Sequence, residues 1–277
     1  MLDEPRSGRL AAWGNALLAG LVSPDEAAER ITGEDALHRV ALPEADAEPA
    51  GLTLALGRLR AMGATGLRIA LPVPGRPLGL SGPPEFNARA LEAGEAVLVD
   101  GAALGLVPLL WEAGPPGGEP APEDVHTEVV WECLPVRQAP PADVPSLAEA
   151  ERELAEGMRE ATEVLTRLDV AGSGPVADAA LDAYRARAEA GRRLLAPGYP
   201  PRAVRVLELA QRVSALVAIA HGGGGDGREH GGAVSAAQMA ARTEALRPVE
   251  RTARRAQVAA YNAYAEELER RREGGRP

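Results

Sequence analysis

The segment His221-Gly-Gly-Gly-Gly-Asp226-Gly-Arg228-Glu229-His230 gathers two histidines, two carboxylates and an arginine in ten residues. Imidazole and carboxylate together can ligate a metal or move a proton. The run of backbone amides after His221 also has the form of an oxyanion hole. Neither chemistry is complete. An acyl-transfer site needs a G-x-S-x-G nucleophile behind a strand, and Gly172-Ser173-Gly174 has neither the spacing nor the strand. Metal ligands need a rigid frame, which so glycine-rich a run does not supply. Residues 221–233 therefore read as a flexible inter-helix loop, and no metal is expected.

His126-Thr127-Glu128 has the H-x-E form used by zinc deaminases, but no P-C-x-x-C follows and Cys133 is the single cysteine. On a strand, alternation puts His126, Glu128 and Glu132 on one face and Val125, Val129, Trp131 and Cys133 on the other. A solvated polar face is the plainer account of the His–Glu pair. Cys133 reads as a small buried apolar residue without a cationic neighbour to activate it.

The loop 72–86, PVPGRPLGLSGPPEF, is the best candidate site. It leaves the end of a strand, where ligands of α/β sheets bind, and its prolines pre-order it as a binding loop requires. It carries Arg76, Ser81 and Glu85, and Asn87 opens the next helix. Arg76 can hold a carboxylate or phosphate beside that helix N-terminus. With His126 nearby, these residues form a candidate site for a small anionic ligand. Without a ligand, Pro and Gly only shape a turn and Asn87 only caps a helix. Gly79, Gly82 and their neighbours form neither G-x-G-x-x-G nor a P-loop, so a nucleotide site in this loop is unsupported, and no cofactor is expected.

Helical spacing of Leu10, Trp13, Leu17 and Leu21 predicts a first helix. Ser23-Pro24-Asp25-Glu26 starts a second with a capping box, and a third spans 52–62 and stops at Gly63. Strands at 67–71 and 95–99 flank the loop and a helix over about 87–93. Asp100-Gly101 turns the chain back through 104–110, and the last strand covers 125–134. This order predicts a small mixed sheet covered by helices.

Near residue 140 the composition changes. QAPPADVP (138–145) reads as a Pro-rich linker. Four helices follow, over 147–168, 176–195, 202–220 and about 235–272. In the first, Leu147, Leu154, Ala161 and Leu168 fall seven apart, as on a bundle or coiled-coil face. In the last, Pro248 should kink or divide the helix. The predicted class is α+β or α/β. An acidic α/β domain (1–137) and a linker (138–145) precede a helical domain (146–277), an antiparallel bundle with a long terminal helix.

Of 277 residues 45% are hydrophobic but only 3% aromatic, so the core is built from Ala, Leu and Val. One cysteine allows no intramolecular disulfide, which suits a reducing compartment. No segment approaches the ~20 apolar residues of a membrane span, so a soluble, cytoplasmic protein without membrane contact is expected. All 30 basic residues are Arg, which with abundant Ala, Gly and Pro marks GC-rich codon usage. Residues 1–137 hold 10 Arg against 20 Asp plus Glu, and the remainder hold 20 against 20. The whole negative excess thus lies in the first half, which disfavours non-specific nucleic-acid binding there. The last helix carries Arg247, Arg251, Arg254, Arg255 and Arg270-Arg271-Arg272, but interleaved Glu favours a solvated face over nucleic-acid contact.

Trp13-Gly14-Asn15, Ser23-Pro24-Asp25-Glu26, the run LRIALPVPGRPLGLSGPPEFN (67–87) and EAGEAVLV (92–99) resemble uncharacterised proteins of high-GC Gram-positive bacteria. The resemblance implies no activity and no residue role. Three functions of different class are compatible with the chain. The first is a cytoplasmic binding or interaction protein whose helical half mediates self-association or contact with a protein partner. The second is a small-molecule or enzymatic domain built on the 72–87 loop, and the third a weak nucleic-acid binder through the Arg-rich last helix. The heptad-like stripe, the long terminal helix and the lack of a catalytic set favour the first.

Overall fold

The computed structural model describes residues 4–43, 48–113, 126–137, 143–167, 195–220 and 236–274. The elements are α1 (Arg6–Leu18), α2 (Pro24–Thr32), β1 (Leu37–Ala41), β2 (Ala50–Gly51), α3 (Leu52–Ala61) and β3 (Gly66–Ala70). Then come α4 (Pro84–Ala93), β4 (Ala96–Asp100), β5 (Leu104–Ala113) and β6 (His126–Pro135), followed by α5 (Leu147–Arg167), α6 (Pro201–Ala220) and α7 (Ala236–Gly274). The class is α+β, a mixed six-stranded sheet with helices and a long C-terminal helix.

The strand order is β2-β1-β6-β5-β4-β3. Every neighbouring pair is antiparallel except β1 with β6, which run parallel. The register sorts the side chains into two faces. Leu67, Ile69, Val97, Leu106 and Trp131 share the face packed by α1 to α3, while Ala70, Ala96, Leu98 and Val107 share the face packed by α4. The helices come close because small residues let them. A Cβ on Gly14 of α1 would lie 2.3 Å from the Leu67 side chain, and one on Gly105 of β5 would lie 2.3 Å from the Phe86 ring of α4.

Strand β1 is a strand that periodicity did not predict, and α4 begins at Pro84, ahead of the expected start at Asn87. The cap predicted at Ser23 is present, its Oγ accepting the Glu26 N–H at 3.1 Å. Helix α7 is continuous through Pro248 and is not divided there. The helix expected over 176–195 and the Gly-rich loop at 221–233 lie outside the described residues.

The chain forms two compact units. One comprises Glu4–Val144, Leu195–Pro200 and Tyr261–Pro277; the other comprises Met1–Asp3, Pro145–Leu194 and Pro201–Ala260. In the helical unit, Ser146 and Glu149 form a full capping box at the start of α5. Arg202 bonds Glu151 and Arg255 bonds Glu153, while Gln257 donates to Ser214 at 3.1 Å. In the same unit Leu154, Leu207, Val213 and Val249 are buried.

In the sheet unit the outer edge of β3 is closed by two asparagine side chains. Asn15 of α1 accepts the Leu67 N–H at 2.8 Å and donates to the Leu67 carbonyl at 2.9 Å. Asn262 of α7 accepts the Ile69 N–H at 2.7 Å and donates to the Ile69 carbonyl at 3.1 Å. A primary amide offers one acceptor and two donors, so each side chain stands in for one residue of a missing strand. Both asparagines are fully buried. Salt bridges from Arg68 to Asp100 and to Glu269, and a bond from Arg272 to the Thr65 carbonyl, hold the last turns of α7 along that edge.

Candidate functional site

The loop after β3 is folded on itself. Val73 and Arg76 exchange backbone hydrogen bonds around Pro74 and Gly75, and the Leu71 N–H donates to the Leu78 carbonyl. Leu78 and Leu80 are buried, so the loop is anchored by apolar side chains. Gly79 has φ 105°, and a Cβ there would meet the Ile69 carbonyl at 2.9 Å, so the close pass of loop over strand requires glycine. Asn87 turns back and accepts the Gly82 N–H at 3.0 Å, which commits its carbonyl to the loop itself. Ser81 keeps a buried Oγ without a hydrogen-bond partner among the described residues. Glu85 is exposed in the first turn of α4.

His126 is not with them. It begins β6 opposite Ala113, whereas the loop leaves β3 at Ala70, whose partner is Ala96. Two residues of β6 aligned through β5 with that part of β4 are Glu132 and Cys133. His126 thus lies roughly 20 Å further along the sheet, at 3.3 Å per residue, and three strands across. Arg76, Ser81, Glu85 and Asn87 share one loop and helix start; His126 shares neither. Cys133 is half-buried, and burial pushes its thiol up to about 11.

A polar network that sequence reasoning passed over lies between α1, β1 and β6. The Asp35 carboxylate accepts from Arg6 at 2.7 and 3.0 Å, from Arg9 at 2.5 Å and from His38 Nε2 at 2.9 Å. Trp131 Nε1 donates to His38 Nδ1 at 3.3 Å. An indole N–H can only donate, so Nδ1 is an acceptor and the His38 proton sits on Nε2, facing Asp35. A histidine oriented by a carboxylate is the geometry of a general base. Here both ring nitrogens are occupied and the ring is fully buried, so no lone pair faces a substrate. The network is a clamp rather than a reaction centre. Its sequence signal is a histidine at the inward position of a five-residue run, Leu37–Ala41.

Beside it, Tyr261 donates to Glu4 at 3.2 Å, and Glu95 accepts the Ser7 N–H at 2.8 Å, supplying from β4's flank the negative charge that α1 lacks in its own first turn. Burial pushes the Glu4 carboxyl up to about 7, against the charge of Arg9 and the Tyr261 hydrogen bond. A carboxyl raised by folding contributes stability that is fully present below its unfolded value and lost as pH rises through the folded one. The wild-type unfolding midpoint should therefore fall relative to Glu4→Gln between about pH 5 and about pH 8. Thermal melts across that range measure it; parallel curves would show that Glu4 does not titrate in the fold.

The last feature is an exposed apolar strand end. Leu109, Leu110 and Trp111 of β5 are 37%, 50% and 63% exposed. Strand β4 pairs β5 only from Leu104 to Leu106, so beyond Leu106 that side of β5 has no neighbour among the described residues. The pairing places the backbone of Leu104 and Leu106 toward β4, and alternation then points the Leu110 and Glu112 N–H and C=O groups out of the open edge. Pro108 falls on the same side, where its missing N–H breaks no ladder bond. Glu112 and Glu128 flank the patch and are exposed.

Among the described residues no group of three or more His, Cys, Asp or Glu could hold a metal ion, and no helix is long and apolar enough to cross a membrane. Arg270 and Arg271 are paired with Glu267, and Arg272 bonds Thr65. The Arg cluster at the end of α7 is thus engaged within its own unit.

Comparison with known proteins covers both halves. The family model described as Rv1486c-like protein, N-terminal domain, matches residues 7–144, and the model for the C-terminal domain matches residues 148–258. Two relatives from Mycobacterium tuberculosis, "Uncharacterized protein MT1533" and "Uncharacterized protein Rv1486c", are 32% and 31% identical over 92% of this chain and 95% of their own. "Uncharacterized protein MAV321" of Mycobacterium avium is 31% identical over 77% of this chain and 78% of its own. No solved structure matches. The resemblance carried by residues 67–87 and 92–99 thus extends over nearly the whole chain.

Proposed function

Since this chain belongs to the Rv1486c-like family, whose relatives named above bring no reaction with them, we propose that it is a protein-interaction module acting through the free end of the β5–β6 hairpin. The observation that carries this is the run Leu109-Leu110-Trp111, three consecutive large exposed apolar side chains on a strand edge that no described residue pairs. Single exposed leucines need no explanation; a contiguous apolar run on an open edge does, because it invites pairing. Among the described residues the helical unit offers no such run. All large apolar side chains exposed among the described residues belong to the sheet unit, which favours the hairpin over the helical half as the contact surface.

Replacing Trp111 with a photo-crosslinking phenylalanine analogue tests the proposal. Irradiation in a bacterial host that carries the native protein should yield a discrete protein adduct, absent when the analogue stands at exposed Leu54 of α3. No adduct at position 111, or equal adducts at both positions, would remove the reading.

A further inference from the structure

We infer that the occupant of this edge is a second copy of the chain, paired antiparallel along β5 about Leu110. The inference rests on the interaction reading above and goes beyond it by fixing the partner and the register. In such a pair the Leu110 N–H of each copy donates to the Leu110 carbonyl of the other. The Glu112 N–H donates to the Pro108 carbonyl on the second copy; the return bond to the Glu112 carbonyl is not made, because proline has no N–H.

Only the open stretch from Pro108 to Glu112 takes part, since β4 occupies the side of Leu104 and Leu106. That stretch is its own complement in this register. Leu109 falls opposite Trp111 of the second copy on one face, an aliphatic–aromatic pair of the kind that stabilises sheets. Leu110 meets Leu110 on the other face, continuing a row that already runs from His38 through Val129. Glu112 falls opposite Pro108, so no two carboxylates are brought directly across the junction. A slip by one residue would turn the apolar side chains to the wrong faces, so the register is specific.

The area sets the strength. Covering these side chains on two copies removes on the order of 600 Å², short of the roughly 1,200–2,000 Å² of stable complexes. The acidic charge carried by each copy opposes association further, by a repulsion that salt screens. The dimer is therefore weak, dependent on concentration and tightened by salt.

Sedimentation equilibrium of the full chain from about 10 µM to about 1 mM tests this, the range in which weak interfaces titrate. The expected result is a mass rising from 28.8 kDa toward twice that value, at lower concentration when salt is raised. Leu110→Pro removes both the outward N–H and the leucine side chain that the pairing uses, and Trp111→Lys changes an exposed side chain. Each should weaken association at least about tenfold, the loss of one good contact. If Leu110→Pro unfolds, Trp111→Lys alone decides. A wild type that stays monomeric, or association unchanged in a folded variant, overturns the inference, as does association weakened by salt, the sign of copies held by opposite charges rather than by this apolar edge. A monomer whose position-111 crosslinker still captures another protein overturns self-pairing and leaves the interaction reading intact. A monomer that captures nothing removes both.

Discussion

Asn262→Ala is expected to destabilise the sheet unit by about 2–5 kcal/mol, a large share of the margin that keeps a domain folded. The side chain makes two hydrogen bonds, both to Ile69, and the site is fully buried. Alanine leaves the Ile69 N–H and carbonyl without partners in a place water does not reach, and each such group costs about 1–3 kcal/mol. Asn262→Asp keeps the acceptor for the N–H but sets a second acceptor against the carbonyl, so it should not rescue. Trp13, Trp111 and Trp131 all lie in the sheet unit, so tryptophan fluorescence in a denaturant titration reads that unit alone. Hydrogen exchange supplies the local test, since the Ile69 amide should lose protection more than its neighbours. A loss below about 1 kcal/mol would mean that the edge finds other partners.

The second large effect is at Asp35. Asp35→Ala removes the common acceptor of Arg6, Arg9 and His38, and should cost about 2–4 kcal/mol, somewhat less than deleting one member of a fully buried ion pair because both arginines keep some contact with solvent. Burial opposes the charge on this carboxyl, but the hydrogen bonds from His38 and Arg6 and the charges of Arg6 and Arg9 outweigh it and hold it well below the usual carboxylate range. A carboxyl depressed by folding contributes stability that is present above its unfolded value and lost as pH falls through the folded one. The advantage of wild type over Asp35→Asn should thus be full at neutral pH and shrink in acid. Chemical unfolding at the two conditions checks it; a pH-independent difference would show that shape rather than charge holds the clamp.

What could be read from the chain beforehand follows the range of each signal. The start of α2 is local chemistry, and Ser23 caps it as its spacing predicts. Strands β3, β4 and β6 announce themselves through apolar residues on an inward face. Strand β1 does not, because its two buried positions are Val40 and His38, and a histidine at an inward position erases the alternation. The candidate site fared differently. Arg76, Ser81, Glu85 and Asn87 are neighbours in sequence and remain so in space, but whether His126 joins them depends on strand register, which no local pattern carries. Asn262 had a signal, a lone amide between Tyr261 and Tyr264 in an otherwise apolar stretch of helix. Only the unpaired edge of β3, distant in sequence, gives that signal its meaning.

That distance has a consequence for how the protein is made. Asn15 and Leu67 are 52 residues apart, whereas Asn262 and Ile69 are 193 apart. As the chain emerges from a ribosome, the first half of the β3 edge can be covered almost at once. The second half waits until the final helix has been translated, roughly 10–40 s later at ordinary elongation rates. During that interval the nascent sheet carries an open hydrogen-bonding rim at Ile69, and its exposure is set by the speed of translation.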